Sequence, residues 1–93
     1  MREQRFVAAR RARWERLAAL AARASRRGVR TMPPAQIEEL AFLYRTTTSD
    51  LAIAQTRDAA PVVRDYLNRL VAGAHLDATF HERAFVTGAR SSA

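Results

Sequence analysis

Cysteine is absent from these 93 residues. That removes disulfides, thiol catalysis and thiolate metal ligation, and it fits a reducing compartment. Lysine is absent too, since all sixteen basic residues are arginine. We read this as the coding bias of a GC-rich genome rather than selection for the planar guanidinium fork. Glycine and proline number three each, with the glycines scattered at 28, 73 and 88. No glycine loop is therefore available to cradle a phosphate. No uncharged stretch exceeds about seven residues, far short of the ~20 apolar residues a membrane span requires. The opening Met-Arg-Glu-Gln-Arg leads into a helical pattern and not into the apolar segment of a signal peptide.

What is abundant is alanine and one sign of charge. Hydrophobic residues make up 48% of the chain, but twenty of the 93 residues are alanine. One domain with a modest core is the expectation. The net charge of +7 is unevenly placed. Residues 1–30 hold ten Arg against two Glu, a balance of +8, whereas residues 31–93 hold six Arg against seven acids, a balance of −1. Such asymmetry points to an anionic partner for the first segment, either nucleic acid or an anionic membrane face.

Periodicity divides the chain into three helices, at about 5–27, 34–57 and 61–78, with an extension to 87 open and a disordered tail at 88–93. In the first, Val7, Trp14, Leu17, Ala21 and Ala24 share a face with Phe6 and Leu20 on its shoulder, and Arg5, Arg13, Arg16, Arg23, Arg26 and Arg27 lie opposite. Arg10 alone falls inside the apolar sector. Gly28 stands where a left-handed helix cap belongs. Pro34 suits the first helical position of the second helix. Its stripe of Ile37, Leu40, Tyr44, Thr47, Leu51 and Ala54 keeps phase through the poor helix formers Thr46 to Asp50, so one continuous helix is expected there. Asp58 reads as a cap before the first-turn Pro61 of the third helix. That helix turns Val63, Tyr66, Leu67, Leu70, Val71 and Ala74 inward, and Asp65 and Arg69 are spaced as an i,i+4 pair. Short links favour antiparallel neighbours. The expected fold is thus all-α, an antiparallel three-helix (up-down-up) bundle forming a single domain over residues 1–87 with a frayed C-terminal end. Trp14, Leu17, Leu40, Tyr44, Leu51, Leu67 and Leu70 should be buried.

Catalysis finds no support in the residues. Ser25, Ser49, Ser91 and Ser92 lack a His and Asp arrangement that would make a nucleophile. His75, Asp77, His81 and Glu82 cluster in sequence, but a third metal ligand in the right place is missing. No metal, cofactor or small-molecule substrate is expected. Trp14, Tyr44 and Tyr66 lie in apolar stripes and read as core aromatics rather than base-stacking groups. The candidate interaction face is Arg13, Arg16, Arg23, Arg26 and Arg27. The bland reading of that face is a solvated helix side; the functional one is contact with an acidic surface. If the first two helices fold back about residue 30 or 31, Arg10 comes level with Asp50, and a structural ion pair between them would fix the hairpin register.

Several blocks together resemble a known family. Arg5-Phe6-Val7 with Trp14-Glu15-Arg16-Leu17, then Glu39-Leu40-Ala41-Phe42-Leu43-Tyr44-Arg45, Ser49-Asp50-Leu51-Ala52 and Tyr66-Leu67-Asn68-Arg69-Leu70-Val71-Ala72-Gly73-Ala74-His75, are similar to the N-terminal region of the stage II sporulation protein M family. The resemblance implies a helical cytosolic region ahead of several membrane spans. In spore formers the founding member acts in engulfment with cell-wall-degrading partners. Most relatives lie beside genes for a MoxR-type ATPase and RDD-type membrane proteins. After His75 the family continues through an aromatic residue and a basic linker into its first span, whereas here Leu76 to Arg83 are followed by a tail. A truncated relative and a stand-alone module both remain open, and anchorage is not carried over.

The function expected from these readings is a non-enzymatic helical interaction module. Its partner would be a protein, membrane-associated by the resemblance, and its place the cytoplasm, at the inner face of the plasma membrane. The alternative is a small basic nucleic-acid binder using the arginine face, though a helix-turn-helix signature is missing. A third reading is a peripheral membrane binder using the same face.

Overall fold

The computed structural model describes residues 3–75. Within them every regular element is helical: α1 over Glu3–Arg27, α2 over Pro34–Thr56, and α3 from 61 to 75, the last described residue. No strand occurs among the described residues. The expected helical extension to 87 and the tail at 88–93 lie outside them.

The α1–α2 link is built from backbone devices. Gly28 takes φ 85° and ψ 142°. Its positive φ suits glycine, but ψ differs from that of the left-handed cap anticipated from the sequence. The chain therefore leaves α1 abruptly into a single 3₁₀ turn, Val29–Thr31. Thr31 Oγ1 donates to the carbonyls of Arg27 (3.0 Å) and Gly28 (2.8 Å). The Arg27 carbonyl at the end of α1, one of the helix-end acceptors without an intrahelical partner, is thereby satisfied. Met32 is buried beneath the turn. Pro33 precedes α2 and Pro34 is its first residue, a position where no N–H is needed.

Asp58 does a different job from the one its sequence position indicated. It adopts φ 55° just past the end of α2. Asp58 N–H reaches Gln55 O at 3.3 Å, and Ala59 N–H reaches Ala54 O at 2.9 Å. Those two bonds are the pair that closes a Schellman motif, with Arg57 as the C-cap residue. Buried Ala54 and Ala59 supply its accompanying apolar contact. Aspartate tolerates the left-handed region better than most residues, which explains the placement without glycine. The opening of α3 is held by Ala60, whose carbonyl accepts from Val63 (3.0 Å) and Arg64 (3.2 Å). Along α3, Arg69 Nε donates to the Asp65 main-chain carbonyl at 3.4 Å.

α2 runs unbroken through Thr46 to Asp50. The hydroxyls of Thr46, Thr48 and Thr56 turn back onto the carbonyls of Phe42, Tyr44 and Ala52, so these poor helix formers spend their polar groups within the helix. Thr47 points inward instead; it is fully buried and its hydroxyl has no partner.

Two apolar clusters form the core. One gathers Leu17, Leu20, Ala24, Met32, Leu40, Leu43 and Ala74. The other gathers Phe6, Trp14, Ala54, Ala59 and Leu67. Leu70 packs against both. Of the residues expected in the core, Trp14, Leu17, Leu40 and Leu67 are buried, while Tyr44, Leu51 and Leu70 are half-buried. Phe6 and Leu20, placed on the shoulder of α1 by the helical projection, are buried more deeply than Val7. Tyr66 corrects the sequence reading: it is 39% exposed and rests its ring 6.1 Å from that of Trp14. Along α2, Leu43 belongs to the first cluster and Ala54 to the second, with Thr47 and Asp50 buried between them. A polar layer thus separates the two halves of the core.

Candidate functional site

The polar layer is centred on Asp50, whose side chain is 4% exposed. Four hydrogen bonds reach its carboxylate from one stretch of α1. Arg10 Nε donates to Oδ1 at 3.1 Å; Arg13 Nη2 donates to Oδ1 at 2.9 Å and Oδ2 at 2.8 Å; Trp14 Nε1 donates to Oδ2 at 2.9 Å. Residues 10, 13 and 14 are neighbours on one helix face by the i,i+3 and i,i+4 rule. The structure therefore brings Arg10 and Asp50 together, and adds two donors the sequence reading left elsewhere. Arg13 had been assigned to the outward arginine face and Trp14 to the apolar core.

Supporting contacts hold this arrangement in place. The Arg10 guanidinium lies 4.3 Å from the centre of the Phe6 ring, and the Phe6 and Trp14 rings are 5.8 Å apart. Arg10 and Arg13 keep 28% and 37% of their side chains exposed. Their stems cover apolar neighbours while part of each guanidinium stays wet. The anion is buried and its cations are half in water, which lowers the desolvation cost relative to a fully buried pair.

The remainder of the expected arginine face splits in two. Arg16 is drawn back to α2, where its Nε and Nη2 each sit 2.8 Å from a Glu39 oxygen. This bidentate bond, and secondarily the charge itself, lowers the Glu39 pKa and raises that of Arg16. Arg23, Arg26 and Arg27 are different. None of the three has an ion pair among the described residues. With Arg16, Ala19, Leu20 and Gln36 they line an open cleft of about 360 Å³ where the end of α1 meets the start of α2. Arg26 and Arg27 are exposed and Arg23 is half-buried. Two of these lining residues also carry side-chain atoms that are buried without hydrogen-bond partners, Arg23 Nε, a donor, and Gln36 Oε1, an acceptor. Gln36 went unnoticed in the sequence, where an uncharged polar residue in a first helical turn gives no signal.

Of the residues weighed for metal binding, only His75 lies among the described residues. His75 is exposed, with its Nδ1 2.6 Å from the Tyr44 hydroxyl. Asp77, His81 and Glu82 lie outside the described residues. No group of three or more His, Cys, Asp or Glu able to hold a metal occurs among the described residues. Trp14, Tyr44 and Tyr66 form no stacking platform: Trp14 is buried, and Tyr44 packs on His75 at 5.7 Å. No described helix is long and apolar enough to cross a membrane.

These features define an all-helical protein whose charged groups fasten helix to helix at one end and face outward at the other. The chain belongs to the DUF8413 family, a domain of unknown function, which it matches over residues 4–79. No curated protein and no solved structure matches it.

Asp50→Ala should cost about 3 kcal/mol in urea unfolding, because it strands the buried Trp14 N–H and removes the anion shared by the half-buried Arg10 and Arg13. Arg10→Ala and Arg13→Ala should each cost about 1.5–3 kcal/mol, since either leaves Asp50 partly paired. A near-zero coupling energy in the Arg10 and Asp50 double-mutant cycle would refute the pairing.

The Arg16–Glu39 pair carries a pH signature. Because the folded-state pKa of Glu39 is depressed, the unfolded chain binds more protons in acid. The pair's contribution is complete above the unfolded carboxylate value and fades as pH falls through the folded one. Glu39→Gln should therefore lower Tm at neutral pH by a small amount, and the difference from wild type should shrink below about pH 4. A gap that widens in acid would show that Arg16 is not the cause.

Proposed function

We propose that this chain is a non-enzymatic helical interaction module that docks on an acidic protein surface through Arg23, Arg26 and Arg27. The observation that carries the reading is the contrast within α1. Arg10, Arg11, Arg13 and Arg16 each bond a carboxylate of the same molecule, whereas Arg23, Arg26 and Arg27 leave theirs to be supplied from outside. The scaffold is an up-down-up bundle. In support, residues 10–14 of α1 meet Asp50 and Arg16 meets Glu39, so numbers rise on one helix as they fall on the other. Tyr44 meets His75, while Ala54 clusters with Leu67, the same reversal between α2 and α3.

The resemblance to the cytosolic region of stage II sporulation protein M-like proteins supports a site of action on the cytoplasmic side, at the inner face of the plasma membrane, with a membrane-associated protein as partner. It rests on the order of the sequence blocks named above, which fall within the residues matched by the DUF8413 family. The peripheral membrane reading is weaker, because Phe6, Trp14, Leu17 and Leu20 are buried and leave α1 no apolar face to insert. Nucleic-acid binding is the alternative. It loses Arg13 and Arg16 to internal pairs, leaving a short basic patch in place of a track of phosphate contacts.

Charge reversal tests the reading. Arg26→Glu/Arg27→Glu should weaken binding to poly-L-glutamate by at least ~10-fold, while the charge-matched Arg5→Glu/Arg57→Glu should change it by less than ~3-fold. Equal losses in the two double variants would overturn the reading, as would tighter binding to a DNA duplex than to the polypeptide.

A further inference from the structure

A second cleft lies between α1 and α3, nearer the start of α1. It measures about 420 Å³, and its buried side is Trp14 with half-buried Val7 and Val63. Of the three large hydrophobic side chains exposed among the described residues, two line it: Val62, 71% exposed, and Tyr66. Four residues apart, they form one ridge on the outer side of α3. One face of the molecule thus carries an apolar groove and, along the groove's own edge, an apolar ridge.

Charge sets this face apart from the rest of the chain. The charged residues lining the groove are Arg11 and Glu15, both exposed and paired with each other at 3.1 Å. Beside the ridge, Asp65 and Arg69 are exposed on the same side of α3, each one turn beyond Val62 or Tyr66. These two bases and two acids cancel, on a chain whose net charge is +7. An acidic peptide, a phosphate backbone or an anionic membrane gains no net attraction at such a rim. A second copy of this chain meets no net repulsion there. A two-fold dimer needs one patch that complements itself, and a ridge beside a groove is such a patch.

We propose that this face is a homodimer interface, in which the Val62–Tyr66 ridge of each copy seats in the α1–α3 groove of the other across a two-fold axis. Setting Val62 against Tyr66 of the partner subunit makes the two α3 helices antiparallel and puts the axis level with Arg64. The Trp14 and Tyr66 rings of one copy are 6.1 Å apart. In the up-down-up scaffold proposed above, on which this register rests, α1 and α3 run the same way. Arg11, three residues before Trp14, then comes level with Val63, and the two-fold brings Asp65 of the partner subunit to that level. Each Arg11 therefore meets the partner's Asp65, and the interface holds two identical salt bridges. The Arg11–Glu15 pair is exposed and contributes little by itself, so Arg11 is free to take a second carboxylate.

Sedimentation velocity of the full chain through the micromolar range should show a reversible monomer–dimer equilibrium. Val62→Asp, at an exposed position, should weaken the dimer by at least ~10-fold and leave the circular-dichroism melt unchanged. Arg11→Glu and Asp65→Arg each reverse one charge in both salt bridges, so either variant alone should also weaken its own dimer by at least ~10-fold. An equimolar mixture of those two should form a heterodimer about as tightly as wild type, because every salt bridge in it again joins opposite charges. Rescue between two separate chains excludes an effect within one chain. A full chain still monomeric at about 1 mM would overturn the dimer and leave the groove to another occupant. A dimer unmoved by Val62→Asp would lie on another face and overturn this one. Single variants that weaken the dimer but are not restored by mixing would overturn the pairing of Arg11 with the partner's Asp65, and the two-fold register with it.

Discussion

A buried carboxylate in a small helical protein must be answered by its surroundings, and the answer at Asp50 fixes how α1 lies on α2. Its oxygens accept four bonds from Arg10, Arg13 and Trp14, all on one side of α1 within little more than one turn. Alanine makes up much of the apolar content here, and alanine surfaces slide over one another at little cost. Apolar burial alone tolerates several registers of such a hairpin; a buried anion with three directed donors tolerates one. A one-residue rotation of α1 would turn the Trp14 indole N–H away and leave charge uncompensated. Specificity and stability both rest on this contact, with the two apolar clusters packed on either side of it.

Partition of the arginines follows from the same geometry. Arginines near Asp50 and Glu39 are consumed in fastening the hairpin, so the high positive charge of the first 30 residues overstates what a partner would meet. What remains outward is concentrated near the turn. There the chain reverses through Gly28 and two prolines, and the backbone is pinned by Thr31 and Pro34. A charged surface beside a rigid corner is pre-organised, which reduces the ordering cost of binding.

Much of the fold was legible in the sequence because its signals are periodic. Apolar spacing marked three helices, Gly28 and Pro34 marked the first link, and Arg10 stood out as a charge inside an apolar sector. What was not legible depends on side-chain reach. A helical wheel assigns Arg13 to the outer face by its Cα, but a long guanidinium can bend back a full turn to find an anion. Arg16 reaches Glu39 by the same means. Asp58 was misassigned because Asp serves both helix starts and left-handed helix ends, and only the dihedral angle separates the two. Tyr66 was placed inside by its period, yet its phenol lies at the edge, where it can stay wet. The orphan atoms of Arg23 and Gln36 had no signature at all, since burial is a property of the folded chain.

Trp14 is the only tryptophan, so its indole N–H gives a single resolved reporter of the Asp50 junction. Hydrogen exchange at that proton is the most direct measurement of whether a buried carboxylate fastens α1 to α2. We expect it to exchange only through global unfolding, with the same free energy as the slowest core amides and the same denaturant dependence. Exchange as fast as that of an exposed indole, under conditions where the helical amides remain protected, would contradict a junction held at Asp50.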